Sequence, residues 1–216
     1  MAAIDKSLYE KFIIESVDGS KTVDISAGVV SFNYFENLYS PMITARAVVV
    51  NTGNTVRGDD GKMQSLYNGF PLRGGERVVI KIAGNTRTNK GLDFSDSPSK
   101  YLYVGSITNV LVTSGKETFT LNLVSREAIT NETVRVGKRF PSSQKISDSV
   151  EDICKNYLSS EKLYDVDETQ NPYGFIGNMK KPFTLMTWLA SKSVPASASK
   201  EDATAGYFFF ETQKGF

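Results

Sequence analysis

The side chains that could do chemistry are few. The 216 residues include no histidine and a single cysteine, Cys154. That removes Ser-His-Asp and Cys-His relays and zinc sites of the usual His/Cys kinds. Carboxylates remain, so composition alone leaves room for a glycosidase working with a pair of acids. Asp165-Val166-Asp167-Glu168 concentrates such groups, but nothing in the spacing faces two of them across a cleft, and it reads as a charged loop. Gly58-Asp59-Asp60-Gly61 lacks the alternating oxygen ligands and distal Glu of an EF-hand and reads as a surface turn. Gly74-Gly75 lacks the Gly-Lys-Ser/Thr of a phosphate-binding loop and reads as a bend. Cys154 falls on the apolar side of a helical pattern, beside Ile153 and Tyr157 with Lys155 adjacent. With no histidine to activate it, it reads as a buried structural thiol. No catalytic, cofactor-binding or metal-ligating residue is assigned.

Charge narrows the partners. Lysines and arginines number 25 against 24 acids, and no basic stripe is interleaved with aromatics. There is no electrostatic case for nucleic acid or an anionic membrane as the main partner. No apolar run approaches the roughly 20 residues that span a bilayer, and Met1 to Lys6 lacks the apolar core of a signal peptide. One cysteine excludes an internal disulfide and suits assembly in a reducing cytoplasm. The length accommodates one large or two small domains, and no internal repeat is evident.

The elements that must carry the function begin with antiparallel β structure from Tyr9 to about Ser125. Lys11 to Val17 and Lys21 to Ile25 flank Asp18-Gly19, a favoured hairpin turn. Val30, Phe32 and Tyr34 alternate with Ser31, Asn33 and Phe35, as in a strand with one wetter face. Pro41 to Asn51 is a long β-rich run, and Arg77 to Ile82 sets Val78, Ile80 and Ile82 on one face. Tyr101 to Val124 is the strongest hairpin, turning at Ser114-Gly115-Lys116 and aligning Phe119, Leu121 and Leu123. Regular strands with short polar turns argue a sandwich or barrel. Lys62 to Gly69 suggests a short helix, and Gly84 to Lys100 a long exposed loop, as suited to partner contact as to mobility.

Ser125 to Thr130 reads as a short closing helix, and Gly137 to Ser143 as a connector, which divides the chain into residues 1-136 and 137-216. Ile146, Val150, Ile153, Cys154, Tyr157 and Leu158 recur at helical spacing, with Asp148, Glu151 and Asp152 early. Asp165 to Gly174 is loop, and Phe175 to Gly177 a short strand. Pro182 opens a second helix whose apolar face is Phe183, Met186, Leu189 and Ala190, widened by Leu185 and Trp188. Val194-Pro195 stops it. Ala196 to Ala205 is a small-residue loop, and Tyr207 to Phe210 is expected as a strand buried on both faces. A last strand without a return partner leaves unpaired backbone groups. The expectation is that the chain is the ordered part of something longer or pairs with a neighbour.

A KPF…WLA helix (Lys181 to Ala190), a variable loop and a GYFFFET-x-x-GF segment (Gly206 to Phe216) resemble the central baseplate hub proteins of contractile-tailed phages of the T-even type. The order of parts is similar over most of the chain: β from Tyr9 to Val124, a helix near Ser147 to Leu158, a helix from Pro182 to Ser193, and an aromatic strand from Tyr207. The resemblance implies a mainly β chain, a tube-like antiparallel β-barrel or sandwich, then a helical segment leading into a second β domain. It implies a virion protein of the tail baseplate, assembled in the host cytoplasm and without enzymatic activity. Such hubs are homotrimers forming a pseudo-six-fold ring between the tail tube, or a tube-initiator protein, and the central spike protein, with the tape-measure protein and DNA passing above and through it. Symmetry matching explains two similar β domains per chain. Typical hubs are longer, and the resemblance leads one to expect the rest of the second β domain beyond Phe216. The surfaces expected to interact, by exposure, are strand edges and the loops Thr52 to Asp60 and Gly84 to Lys100. The spike trimer of type VI secretion shares this architecture. The alternatives are a carboxylate-based phage cell-wall hydrolase and a carbohydrate-binding β-sandwich module.

Overall fold

The computed structural model describes residues 7–58, 60–70, 72–86, 88, 90–162, 165–196 and 206–216. Its chain forms two compact units: one from the chain up to Phe35 with Thr44–Arg126, the other from Glu36–Ile43 with Glu127–Phe216. The elements in chain order are β1 (Leu8–Glu15), β2 (Thr22–Asp24), β3 (Val29–Phe35), β4 (Thr44–Thr52), β5 (Val56–Arg57), β6 (Met63–Gln64), α1 (Leu66–Gly69), β7 (Arg77–Ala83), β8 (Leu92–Phe94), β9 (Leu102–Thr113), β10 (Lys116–Ser125), α2 (Arg126–Thr133), β11 (Arg139–Phe140), α3 (Ile146–Asn156), β12 (Phe175–Ile176) and α4 (Pro182–Ala190).

The first unit is an antiparallel sheet of eight strands in the order β2-β1-β7-β9-β10-β4-β3, with β8 added on β7. Alternation builds its inner face. Phe12 and Ile14, Val78 and Ile80, Leu102 and Val104, and Phe119, Leu121 and Leu123 are all essentially sealed from water. The chain is mainly β as expected, but the sheet is no closed barrel. Among the described residues no ladder joins β3 to β1, β2 or β8. The sheet curls until side chains meet where hydrogen bonds do not. Phe12 of β1 packs edge-on to Phe32 of β3 at 5.9 Å between ring centroids, and Tyr34 of β3 tilts against Phe94 of β8 at 5.3 Å. A 3-10 turn at Ser26–Gly28, with the Ile25 amide donating to the Phe12 carbonyl at 2.8 Å, holds the entry to β3 near β1.

Local chemistry explains where this unit follows and departs from expectation. The β1–β2 hairpin turns at Asp18-Gly19, with Gly19 at φ 70°. The Asp18 carboxylate is pulled down to about 2 by hydrogen bonds from the Ser16 hydroxyl and from the backbone and hydroxyl of Ser20. In β3 a bulge lies between Val29 and Ser31, so Val30 turns outward, 65% exposed, rather than joining Phe32 and Tyr34. Strand β4 starts at Thr44, and Pro41 to Ile43 belong to the second unit. Gly84 to Lys100 is not simply an exposed loop. Gly91, at φ 76°, comes so near the Ile82 carbonyl that a Cβ would sit 2.1 Å from it. That close return lets Leu92–Phe94 pair with β7 and bury Phe94. Arg87 and Asn89 of this stretch lie outside the described residues.

In the second unit, α3 and α4 bury Ile146, Val150, Ile153, Cys154, Phe183, Leu185, Met186 and Leu189. Pro182 occupies the first turn of α4, and Asn131 of α2 accepts the Phe183 amide at 2.8 Å, which satisfies one of the donors that a helix start leaves open. The helix ends at Ala190, earlier than Pro195 requires, because Ser191 and Ser193 hydroxyls donate to the carbonyls of Trp188 and Leu189. Phe175 stacks on Phe140 at 4.4 Å across the β11–β12 pair, and Trp188 closes on Phe175 edge-on. Tyr207 to Phe210 forms no strand, and it is not buried on both faces: Phe208 is 53% exposed. Among the described residues it has no ladder partner, so its side chains pack instead. Phe209 stacks on Phe216 at 5.3 Å, and Phe208 meets Tyr39 edge-on at 5.4 Å. The loop expected at Ala196 to Ala205 lies outside the described residues from Ser197 onward.

A buried charge cluster ties this unit's ends together. Lys162 is ion-paired to Glu127 at 2.9 Å and to Glu211, and the side chains of all three are 4% exposed or less. Glu127 also accepts the Ser160 hydroxyl, and Glu211 accepts the Ile43 amide. Removing the cation strands two carboxylates in a dry site. Lys162→Met is therefore expected to lower unfolding stability by about 3–5 kcal/mol. Replacing all three charges with apolar residues of similar volume should recover most of that loss, as read from urea unfolding midpoints.

Candidate interaction surfaces

The residues that could carry chemistry are mostly committed to structure. Among the described residues four glutamates are buried, and each has partners. Glu76 accepts the amides of Arg73 and Gly74, and so shapes the bend at Gly74-Gly75, whose φ values are 102° and 90°. Glu117 accepts the Tyr67 amide at the start of α1 and the Asn51 side-chain amide. Glu127 and Glu211 hold Lys162. These buried carboxylates are engaged by backbone and side-chain amides, a hydroxyl and an ammonium, contacts that hold the fold together.

The acidic stretch from Asp165 to Glu168 is an irregular segment whose three acids are exposed. Glu168 pairs with Lys145, whose hydrogen bond lowers the Glu168 pKa and raises that of Lys145. Asp165 and Asp167 lie at a groove of about 390 Å³ within the second unit, walled by Val150, Met186, Phe209 and Phe216. In the turn at Gly58 to Gly61, Asp60 accepts the Lys62 amide and the Gln64 side chain, while Asp59 lies outside the described residues. Among the described residues no three acids, cysteines or histidines gather as metal ligands.

Cys154 is where its helical pattern puts it, buried on α3 with its thiol 3.5 Å from the Met186 sulfur. Burial pushes its pKa up to about 12, with Glu127 and Glu151 adding to the shift. This thiol stays neutral and unreactive.

The loops expected to interact are more structured than the sequence suggests. Thr52 to Asp60 contains β5, paired with β6, with Val56 buried beneath it. The broadest exposed apolar run lies elsewhere, in the far half of β9. Val110, Leu111 and Val112 are 40%, 63% and 52% exposed. Strand β10 pairs β9 along its length, whereas β7 reaches only Leu102 and Tyr103, followed by a backbone bond from the Val104 amide to Glu76. Beyond that, β9 has one edge without a strand partner among the described residues. The sequence signal for this was the uncharged SITNVLVT run, which hairpin reasoning absorbed as ordinary strand.

Comparison with known proteins comes from structure alone. No protein-family description and no curated protein sequence matches the chain. A 43 kDa tail protein of prophage MuSo2 from Shewanella oneidensis shares the fold, with a TM-score of 0.54 at 12% identity over 88% of this chain and 50% of that one. A tail protein from Neisseria meningitidis aligns at a TM-score of 0.47 and 10% identity, over 89% of this chain and 49% of its own. The chain spans about half the length of these neighbours.

The raised Cys154 pKa has a consequence for stability with a definite sign. The folded thiol holds its proton to higher pH than the unfolded thiol, whose value is near 9. The stabilisation is thus complete below pH 9 and is lost as pH rises toward 12, at up to about 1.4 kcal/mol per pH unit. The stability advantage of the native chain over Cys154→Ala should therefore shrink between pH 9 and 11 in paired urea titrations.

Proposed function

We propose that this chain is a structural protein of a phage tail, and within it the baseplate central hub that joins the tail tube to the central spike. The observation that carries the reading is the fold shared with the prophage tail protein across nearly nine-tenths of this chain. The engagement of Glu76, Glu117, Glu127 and Glu211, the buried glutamates among the described residues, in amide or ammonium contacts supports a non-enzymatic role over a carboxylate-based wall hydrolase. The aromatics also favour packing over glycan binding, since Phe140, Tyr173, Phe175 and Trp188 pack on one another.

In this role the protein acts as a homotrimer in the virion baseplate. Its partners are the spike protein, tube or tube-initiator proteins and the tape-measure protein, and DNA passes through the ring without sequence-specific contact. Symmetry sets the requirement: a ring between a six-fold tube and a three-fold spike must present matching surfaces to both.

Light scattering behind size exclusion, with negative-stain images of the same fraction, tests it. The expected result is a particle of three times the chain mass, seen as a ring with a central hole. A monomer at every concentration would contradict the hub.

A further inference from the structure

One stretch of the second unit, Tyr207 to Phe210, has the composition of a strand and forms none. Among the described residues its amides and carbonyls make no backbone hydrogen bond. Side chains hold it instead. Phe209 packs on Phe183 at 6.0 Å and stacks on Phe216, while its neighbour Phe208 turns to Tyr39 and stays 53% exposed. The Tyr207 hydroxyl donates to the Glu168 carbonyl at 2.9 Å. Phe216 is tied back by the Asp165 amide, which donates to its carbonyl at 2.9 Å.

This stretch lines the groove of about 390 Å³, whose other apolar walls include Val150 of α3, Met186 of α4 and Phe216. The charges on the groove are the exposed Asp165 and Asp167 against a single ammonium, Lys214. Glu168, the next acid along, is already paired with Lys145. Apolar walls, an excess of carboxylate and a row of unpaired backbone groups therefore coincide, and each limits what can sit there. The walls take aliphatic side chains. The carboxylates take a cation. The open backbone takes a strand, because a helix spends its own amides and carbonyls internally.

We infer that the groove is a strand-addition site, at which Tyr207 to Phe210 take an extended segment of a different protein as their ladder partner. The segment carries aliphatic residues at alternate positions and a lysine or arginine at its flank. Its aliphatic side chains, all on one face, enter the groove, and its cation meets Asp165 and Asp167. Its backbone supplies the donors and acceptors that Tyr207 to Phe210 lack, which is what turns an aromatic run with strand propensity into a strand. The site lies wholly within the second unit and does not depend on the hub reading. It adds to that reading a place where an extended arm of another protein docks.

Isothermal titration calorimetry of the whole chain with the synthetic peptide Lys-Val-Thr-Ile-Thr-Val-Lys, blocked at both ends, tests the site. One peptide should bind per chain, more weakly as salt is raised. Asp165→Asn combined with Asp167→Asn should weaken it about fivefold, with circular dichroism showing that the variant folds. Alternate amides of a strand point to opposite edges, so N-methylating one alternate set in the peptide should abolish binding while N-methylating the other leaves it. The bound peptide should also slow amide exchange at Phe208 to Phe210 by at least about tenfold. No heat of binding at about 1 mM peptide overturns the inference, as does equal binding by the two methylated forms. Slowing of the same amides by protein concentration alone would make the occupant a second copy and overturn it too. A trimer by light scattering that ignores the peptide would leave the hub reading standing and sink the site, and a monomer that binds it would do the reverse.

Discussion

The constraint on which the first unit depends is that backbone amides and carbonyls need partners, and its sheet does not supply all of them by closing on itself. Eight strands curl far enough for Phe12 to reach Phe32 and for Tyr34 to reach Phe94, yet no ladder crosses the seam among the described residues. Aromatic rings bury much surface and tolerate tilted contact, so they can hold a curved sheet together where hydrogen-bond register cannot. The cost is edge backbone without a ladder partner among the described residues, as along the far half of β9. In the second unit the equivalent role falls to charge. Lys162, sealed between Glu127 and Glu211, fixes the segment after α3 against α2 and the C-terminal stretch.

Much of this was legible in the sequence. Period-two alternation placed Val78, Ile80 and Ile82, and Phe119, Leu121 and Leu123, on the inner face, because one buried face forces that pattern. The 3.6-residue period placed Ile146, Val150, Ile153 and Cys154 on the buried side of α3. What escaped was decided by long-range contact. Strand β8 hides in a polar stretch and depends on the tight return at Gly91. Strand β11 has two residues and exists through stacking of Phe140 on Phe175. The aromatic run from Tyr207 reads as a strand by propensity, but propensity cannot provide a neighbouring strand, so it packs through its rings as an irregular segment.

The candidate surfaces divide in the same way. Cys154 was readable as inert from its helical position and the lack of histidine, and burial with its raised pKa agrees. The two loops expected to interact contain short strands, β5 and β8, because polar residues also build short ladders and tight returns.

Amide hydrogen exchange tests the dependence on backbone partners most directly. Exchange would be followed along β9 and β10, since β10 has ladders on both sides and the far half of β9 on one side among the described residues. The amides of β10 should exchange at least about tenfold more slowly than the outward-facing amides of Val110–Thr113. Equal exchange along the two strands would show that the far half of β9 is not left open at the sheet's edge.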